Sequence, residues 1–334
     1  MPEQDSLAQD VPIRSLYPLR FIPVCRDHPW GGYRLAEAYG RGSSGCRIAE
    51  SWEIADRDDG MSVIANGPLA GRSLNAVSKE HMKAILGSAV TGDRFPLLIK
   101  LIDARENLSV QVHPGEAAAE LLGGEAKSEF WYVLESDNAN VWCGFNQVLS
   151  KRDFAHAVEA GRCLDHLRVV PVQRHSAVMV EAGTVHAIGE GCLLLEIQQN
   201  SDTTFRLYDW DRVDESGQPR PLHVDHALKA IDWGRNSQPV LQPVMLGESE
   251  GGSHGRYLSG NPFCVDRYLI HDEVRIPMSG KSFHALFIVE GEVRMDWSHG
   301  SDVLVAGSCT LVPAALGDYA LNGRATAIRI SMVA

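Results

Sequence analysis

Apolar residues in this chain come in short bursts. FPLLIKLI (Phe95 to Ile102), FWYVL (Phe130 to Leu134), LLLEI (Leu193 to Ile197), FIV (Phe287 to Val289) and SCTLV (Ser308 to Val312) are each closed off within a few residues by Gly, Pro, Asn or Asp. Val, Ile and aromatic residues in runs of about 4–8 positions are the signature of strands. Helical patterns are few: SKEHMKAILG (Ser78 to Gly87), EAAAELLG (Glu116 to Gly123), the capping box SKRD from Ser150 before Phe154 to Val158, and DHALKAIDWG (Asp225 to Gly234). Strands and helices do not alternate regularly, which disfavours a Rossmann or (β/α)₈ plan. An all-β chain built from two antiparallel barrels or sandwiches of the jelly-roll kind, with short helices between and beside them, is the better fit.

At 334 residues the chain is too long for one ordinary domain, so two domains or two related halves are expected. The polar stretch GRNSQP (Gly234 to Pro239) reads as their connector. GTVH (Gly183 to His186) is weakly echoed by GEVRM (Gly291 to Met295) and VPAA (Val312 to Ala315), but the second half has no counterpart of Gln111 and His113. Seven scattered cysteines without a CxxC pair suggest reduced thiols in a cytoplasm. The start, MPEQDSLAQD, is acidic and polar rather than a secretory signal, and no apolar run approaches the roughly 18 residues of a membrane span. A net charge of -12 argues against a nucleic-acid partner, though it leaves room for an anionic small ligand in a locally positive pocket.

Polar residues set two apart within strand-forming sequence carry the chemistry. In SVQVHP, strict alternation puts Ser109, Gln111 and His113 on one side and Val110 and Val112 on the other. KSE aims Lys127 with Glu129, and GTVH sets His186 at a turn into a strand. His113, His186, Glu129 and the amide oxygen of Gln111 offer two nitrogens and two oxygens, a set suited to a divalent ion such as zinc. Each residue alone also has a plainer reading: a hydrogen-bonded core histidine, a surface glutamate, a glutamine closing a turn. Burying them all unpaired would cost roughly 1–3 kcal/mol per polar group, and one cation would satisfy the set. Farther on, EIQQNSDTTFRLYDWDR (Glu196 to Arg212) places Glu196 in an apolar strand, where a raised pKa would suit a base. Arg206 and Arg212 follow, either as a solvated edge or as partners of developing and phosphate oxygens.

The chain resembles the type I phosphomannose isomerases of the shorter bacterial form. The resemblance rests on FIPVCRDHPWGG from Phe21, ESWEI from Glu50, FPLLIKLIDARENLSVQVHP from Phe95, AKSEFWYVL from Ala126, GTVHAIGEG from Gly183 and EIQQNSDTTFRLYDWDR from Glu196. It implies two cupin-type jelly rolls: a metal-binding catalytic domain over 1–232, with a small helical decoration near 150–168, and a cupin-like domain without ligands over 245–334. It also implies one divalent ion per chain, usually zinc, held by Gln111, His113, Glu129 and His186. The implied substrate is a phosphorylated hexose, with mannose 6-phosphate and fructose 6-phosphate interconverted by a monomer or homodimer. Lys127, Glu196 and Arg206 fall on catalytic positions. Ser109 falls on a phosphate contact, and Arg212 on a looser match to a second one. Where the family often has Pro two residues before the Gly of GTVH, this chain has Glu181. Another cupin sugar-phosphate isomerase, a metal-dependent cupin oxygenase and a non-catalytic sugar-binding protein are the alternatives.

Overall fold

The strand-forming runs become strands covered on both faces. The computed structural model describes residues 16–213, 217–235, 238–260 and 262–333. The acidic start through residue 15, and Asn236 and Ser237 of the expected connector, lie outside these residues. The chain forms two compact units. One comprises Pro23–Ser62 and Phe95–Pro243; the other comprises the described residues up to Ile22, Val63–Arg94 and the chain from Val244 onward.

The first unit is a sandwich of two antiparallel sheets. Its seven-stranded sheet runs Val240–Leu241, Ala177–Val180, Glu129–Ser136, Cys192–Gln199, Leu97–Asp103, Glu50–Ile54, Val24–Arg26. Its five-stranded sheet runs Leu167–Pro171, Asn140–Phe145, His186–Ile188, Val110–Val112, Phe205–Tyr208. Ile102, Trp131, Val133 and Leu194 from the first sheet pack with Val141, Cys143 and Ile188 from the second.

The outer face of the five-stranded sheet is covered by helices rather than water. Val110, Val112, Phe205 and Leu207 join Phe154 of the helix Lys151–Glu159 and Ala227 and Leu228 of the helix Val224–Ala230 in a second apolar cluster. Val110 and Val112 therefore satisfy the core on the helical side, which frees Ser109, Gln111 and His113 to face the sandwich interior. Ser150 caps the first of these helices, its hydroxyl accepting from Asp153 N at 3.1 Å, as its capping-box sequence predicts.

The second unit is built on one ten-stranded antiparallel sheet with two long central strands, His284–Trp297 and Tyr319–Ser331. Segments distant in sequence enter it: Leu19 pairs with Leu311, and Ala89 N donates to Lys281 O at 2.7 Å. The helix expected from Ser78 starts earlier. Ser73 caps Leu74–Glu80 by accepting from Ala76 N at 3.2 Å, Ser78 is buried, and the chain breaks at His81 before a short second helix, Met82–Ile85. Among the described residues no helix is long and apolar enough to cross a membrane.

The sandwich core sets a first expectation. Leu194 is fully buried, so Leu194→Ala should cost about 2–5 kcal/mol in denaturant unfolding. Leu121→Ala, at a position 77% exposed in the same unit, should stay within about 0.5 kcal/mol.

Candidate metal centre and cleft

Strand register gathers the polar residues. In the five-stranded sheet Gln111 lies between His186 on one neighbour and Arg206 on the other. In the facing sheet Glu196 sits between Lys100 and Trp131, and Gln198 between Leu98 and Glu129. The turn before His186 ties its strand to that of His113: Gly183 N donates to His113 O at 2.7 Å. Gly183 has φ +86°, and a Cβ there would lie 2.9 Å from the Asp232 Cβ, so both conformation and space require glycine. Glu181, at the family's proline position, pairs with Arg235.

His113, Glu129 and His186 are buried, with ligand-capable atoms all within 4.8 Å of one another. Each imidazole has its Nδ1 2.8 Å from a backbone carbonyl, Thr203 O for His113 and Thr184 O for His186. A carbonyl only accepts, so each Nδ1 carries the proton and each Nε2 presents a lone pair. Those lone pairs face a carboxylate. His113 Nε2 is 3.0 Å from Glu129 Oε1, and His186 Nε2 is 3.7 Å from Glu129 Oε2. His113 Nε2 and Glu129 Oε2 are buried without a hydrogen-bond partner. Burial, then the nearby Lys127 ammonium, pushes the His113 pKa down to about 3, and burial also lowers that of His186. Acceptors thus face acceptors, an arrangement one cation resolves.

Gln111 adjoins this group, with Nε2 3.3 Å from His186 Nε2 and Oε1 accepting from Ser109 Oγ at 3.2 Å. A half-turn of the amide exchanges oxygen and nitrogen in nearly the same shape, turning the oxygen toward the imidazoles.

Beside the acceptors lies a buried charge network. Lys127 Nζ is 3.1 Å from Glu129 Oε1. Lys100 Nζ is 2.7 Å from Glu196 Oε2 and 3.3 Å from Glu50 Oε2. Trp131 Nε1 donates to Glu196 at 2.9 Å and Trp52 Nε1 to Glu50 at 2.8 Å. Burial, then repulsion from Glu129, raises the Glu196 pKa to about 7, against the pull of Lys100 and Lys127. Burial works against the Lys100 ammonium, but Glu196, Glu50 and Glu129 outweigh it and hold its pKa above the ordinary value.

Gln111, Lys127, Glu129, Lys100, Glu196 and Glu50 line one cleft of about 360 Å³, which also takes in His28, Ser109, Arg206 and Arg220. Arg206 Nε is 3.3 Å from Ser109 Oγ. Arg212, expected at a phosphate, is not among the lining residues. Its NH1 donates to Asn107 O at 2.8 Å and its NH2 to Asp209 Oδ1 at 2.6 Å. The other eight expected residues are at the metal group or in the cleft wall around it. Lys100, Glu50 and Arg220 complete the wall without having been singled out from sequence. Lys100 had a signal, as the one charge inside FPLLIKLI; Arg220, in GQPRPLH, reads only as loop.

Residues 19–141 match the family described as phosphomannose isomerase type I, catalytic domain. The chain is 35% identical over 314 residues to the mannose-6-phosphate isomerase ManA of Bacillus subtilis, covering 93% of this chain and 98% of that one. It is 31% identical over 296 residues to the mannose-6-phosphate isomerase of Streptococcus mutans, covering 88% and 92%. The crystal structure of the mannose 6-phosphate isomerase from Bacillus subtilis superposes with a TM-score of 0.88 at 30% identity, covering 95% of this chain and all of that one.

If the acceptor cluster takes a divalent ion, zinc at about 100 times its Kd should stabilise the protein by about 2.7 kcal/mol. Thermal unfolding with and without zinc measures this. His113→Ala should remain folded by circular dichroism and lose most of the shift; an undiminished shift would remove His113 from the ligands.

Proposed function

The chain belongs to the type I phosphomannose isomerase family, and we propose that it interconverts mannose 6-phosphate and fructose 6-phosphate in the cleft of its sandwich unit. The observation that carries this reading is the meeting, in one cleft, of a cation-seeking His113–Glu129–His186 group, a carboxylate with a raised pKa at Glu196 and the guanidinium of Arg206. On this reading the sandwich unit, Pro23–Ser62 with Phe95–Pro243, is the catalytic cupin domain, and the unit built on the ten-stranded sheet is cupin-like without metal ligands. Seven free cysteines fit a cytoplasmic enzyme.

Gln111, through its amide oxygen, His113, Glu129 and His186 are the groups that would hold the metal, with zinc the ion best matched to two imidazoles and two oxygens. Such an ion supplies Lewis-acid polarisation of the sugar's oxygens. The chain's own residues move the protons. Glu196 takes the proton from C2 of the open-chain aldose, giving a cis-enediol, and returns it to C1 of what becomes the ketose. Lys100 beside it keeps the carboxylate oriented and balances its charge. Lys127 assists ring opening and shifts the hydroxyl proton from O2 to O1. Arg206 stabilises the enediolate oxygen as charge develops there. Ser109 holds the phosphate, so binding energy remote from C1 and C2 fixes their position.

Purified protein should isomerise mannose 6-phosphate, lose activity to a chelator and regain it with zinc; full activity after complete demetallation would contradict the metal assignment. Glu196→Gln should slow exchange of C2 deuterium with solvent by about 10²–10⁴. Lys127→Ala should spare that exchange more than Glu196→Gln does. The base works only when ionised and its pKa is pushed upward, so kcat/KM should fall as pH drops through a value well above the ordinary glutamate range. An acid limb at about 4.3, the value for a free glutamate, would contradict Glu196 as that base.

A further inference from the structure

Two arginines bind one buried carboxylate, Asp209, and a third lies close by. Arg212 and Arg220 both bind Asp209: Arg212 NH2 is 2.6 Å from Oδ1, and Arg220 Nε is 2.7 Å from Oδ2. Arg206 adjoins them, its NH1 donating at 3.0 Å to the carbonyl of Pro221, the residue after Arg220. Asp209 cancels one of the three positive charges, and Glu106, 3.8 Å from Arg212 NH1, offsets part of a second, leaving the cluster net positive. A phosphate monoester carries about -1.5 to -2 near neutral pH.

The three arginines differ in what they can still offer. Arg212 is bound to the protein through all three nitrogens: NH1 goes to Asn107 O, NH2 to the Asp209 carboxylate, and Nε to Asp209 O at 3.3 Å, with Glu106 Oε2 3.8 Å from NH1. Arg220 is held by Nε and NH2 against Asp209 and lines the cleft, whereas Arg212 does not. The Asp209 carboxylate thus positions Arg220 through both oxygens, while Arg212 holds the same carboxylate by sharing Oδ1.

We propose that Arg220 is the second phosphate anchor of this enzyme, acting with Ser109, and that Arg212 is a strut that positions it through Asp209. This rests on the sugar-phosphate reading above and assigns its specificity to a residue outside the recognisable motifs. A guanidinium fixed on one edge presents its remaining N–H groups to phosphate oxygens at little further entropic cost.

Two measurements test it. In calorimetric titration with inorganic phosphate, Arg220→Ala should weaken binding by about 10- to 100-fold, the range of a charge-assisted contact. Arg220→Lys should recover part of that, and Arg212→Ala should lose less than Arg220→Ala. In turnover, the preference for mannose 6-phosphate over unphosphorylated mannose should fall in Arg220→Ala mainly through KM for the phosphorylated sugar. Arg220→Gln, which keeps the side chain's length and polarity, serves if the alanine variant unfolds. Unchanged phosphate affinity and unchanged preference in a folded Arg220 variant would overturn the anchor. A wild-type protein that binds phosphate through Arg220 yet isomerises no mannose 6-phosphate would instead overturn the substrate reading and leave the anchor standing.

Discussion

An imidazole that has given its Nδ1 proton to a carbonyl has only a lone pair left at Nε2, and this protein aims two such lone pairs at one buried carboxylate. The backbone carbonyls of Thr203 and Thr184 impose the tautomers, and Glu129 sits opposite with an oxygen no protein donor satisfies. Left alone, the arrangement repels itself and wastes the desolvation of three polar groups. A divalent ion converts the same geometry into a net attraction. His113 and His186 stand at the ends of neighbouring strands of one sheet, tied by the Gly183–His113 backbone bond, and Glu129 opens a strand of the facing sheet.

The interior between the sheets is divided. One part is filled by Ile102, Trp131, Val133, Leu194 and their partners and holds the fold together. The other is polar and open, and there the same strands carry Lys100, Glu129 and Glu196. A buried lysine flanked at ion-pair distance by a buried and a half-buried glutamate would be a liability in a purely structural core, where apolar residues of similar volume often do as well or better. It is intelligible where proton transfer needs a carboxylate whose affinity for protons lies near neutrality. Stability and chemistry are thus assigned to successive positions along the same strands.

Much of this was legible in the sequence, for a local reason. A strand repeats every two residues, so QVH and KSE announce which side chains share a face without knowledge of the fold. The inversion in SVQVHP, polar inward and apolar outward, becomes intelligible only with the helices Lys151–Glu159 and Val224–Ala230 laid over Val110 and Val112. Long-range pairing left no such trace. Leu19 meeting Leu311 draws the N-terminal segment into the unit formed mainly by the last 91 residues, from Val244, and nothing in either run names the other. Arg220 escaped for the same reason: it stands in a loop, and only its approach to Asp209 gives it a place. Arg212, at the end of the motif and next to the left-handed Asp211, does not line the cleft.

The account stands or falls on where a cation sits. Anomalous diffraction at the zinc edge from crystals grown with zinc would locate it directly. A single strong peak about 2.0–2.2 Å from Nε2 of His113, Nε2 of His186 and an oxygen of Glu129 is the result the geometry demands. A crystal at full zinc occupancy whose peak lies elsewhere, with these three side chains instead bridged by a proton, would contradict it.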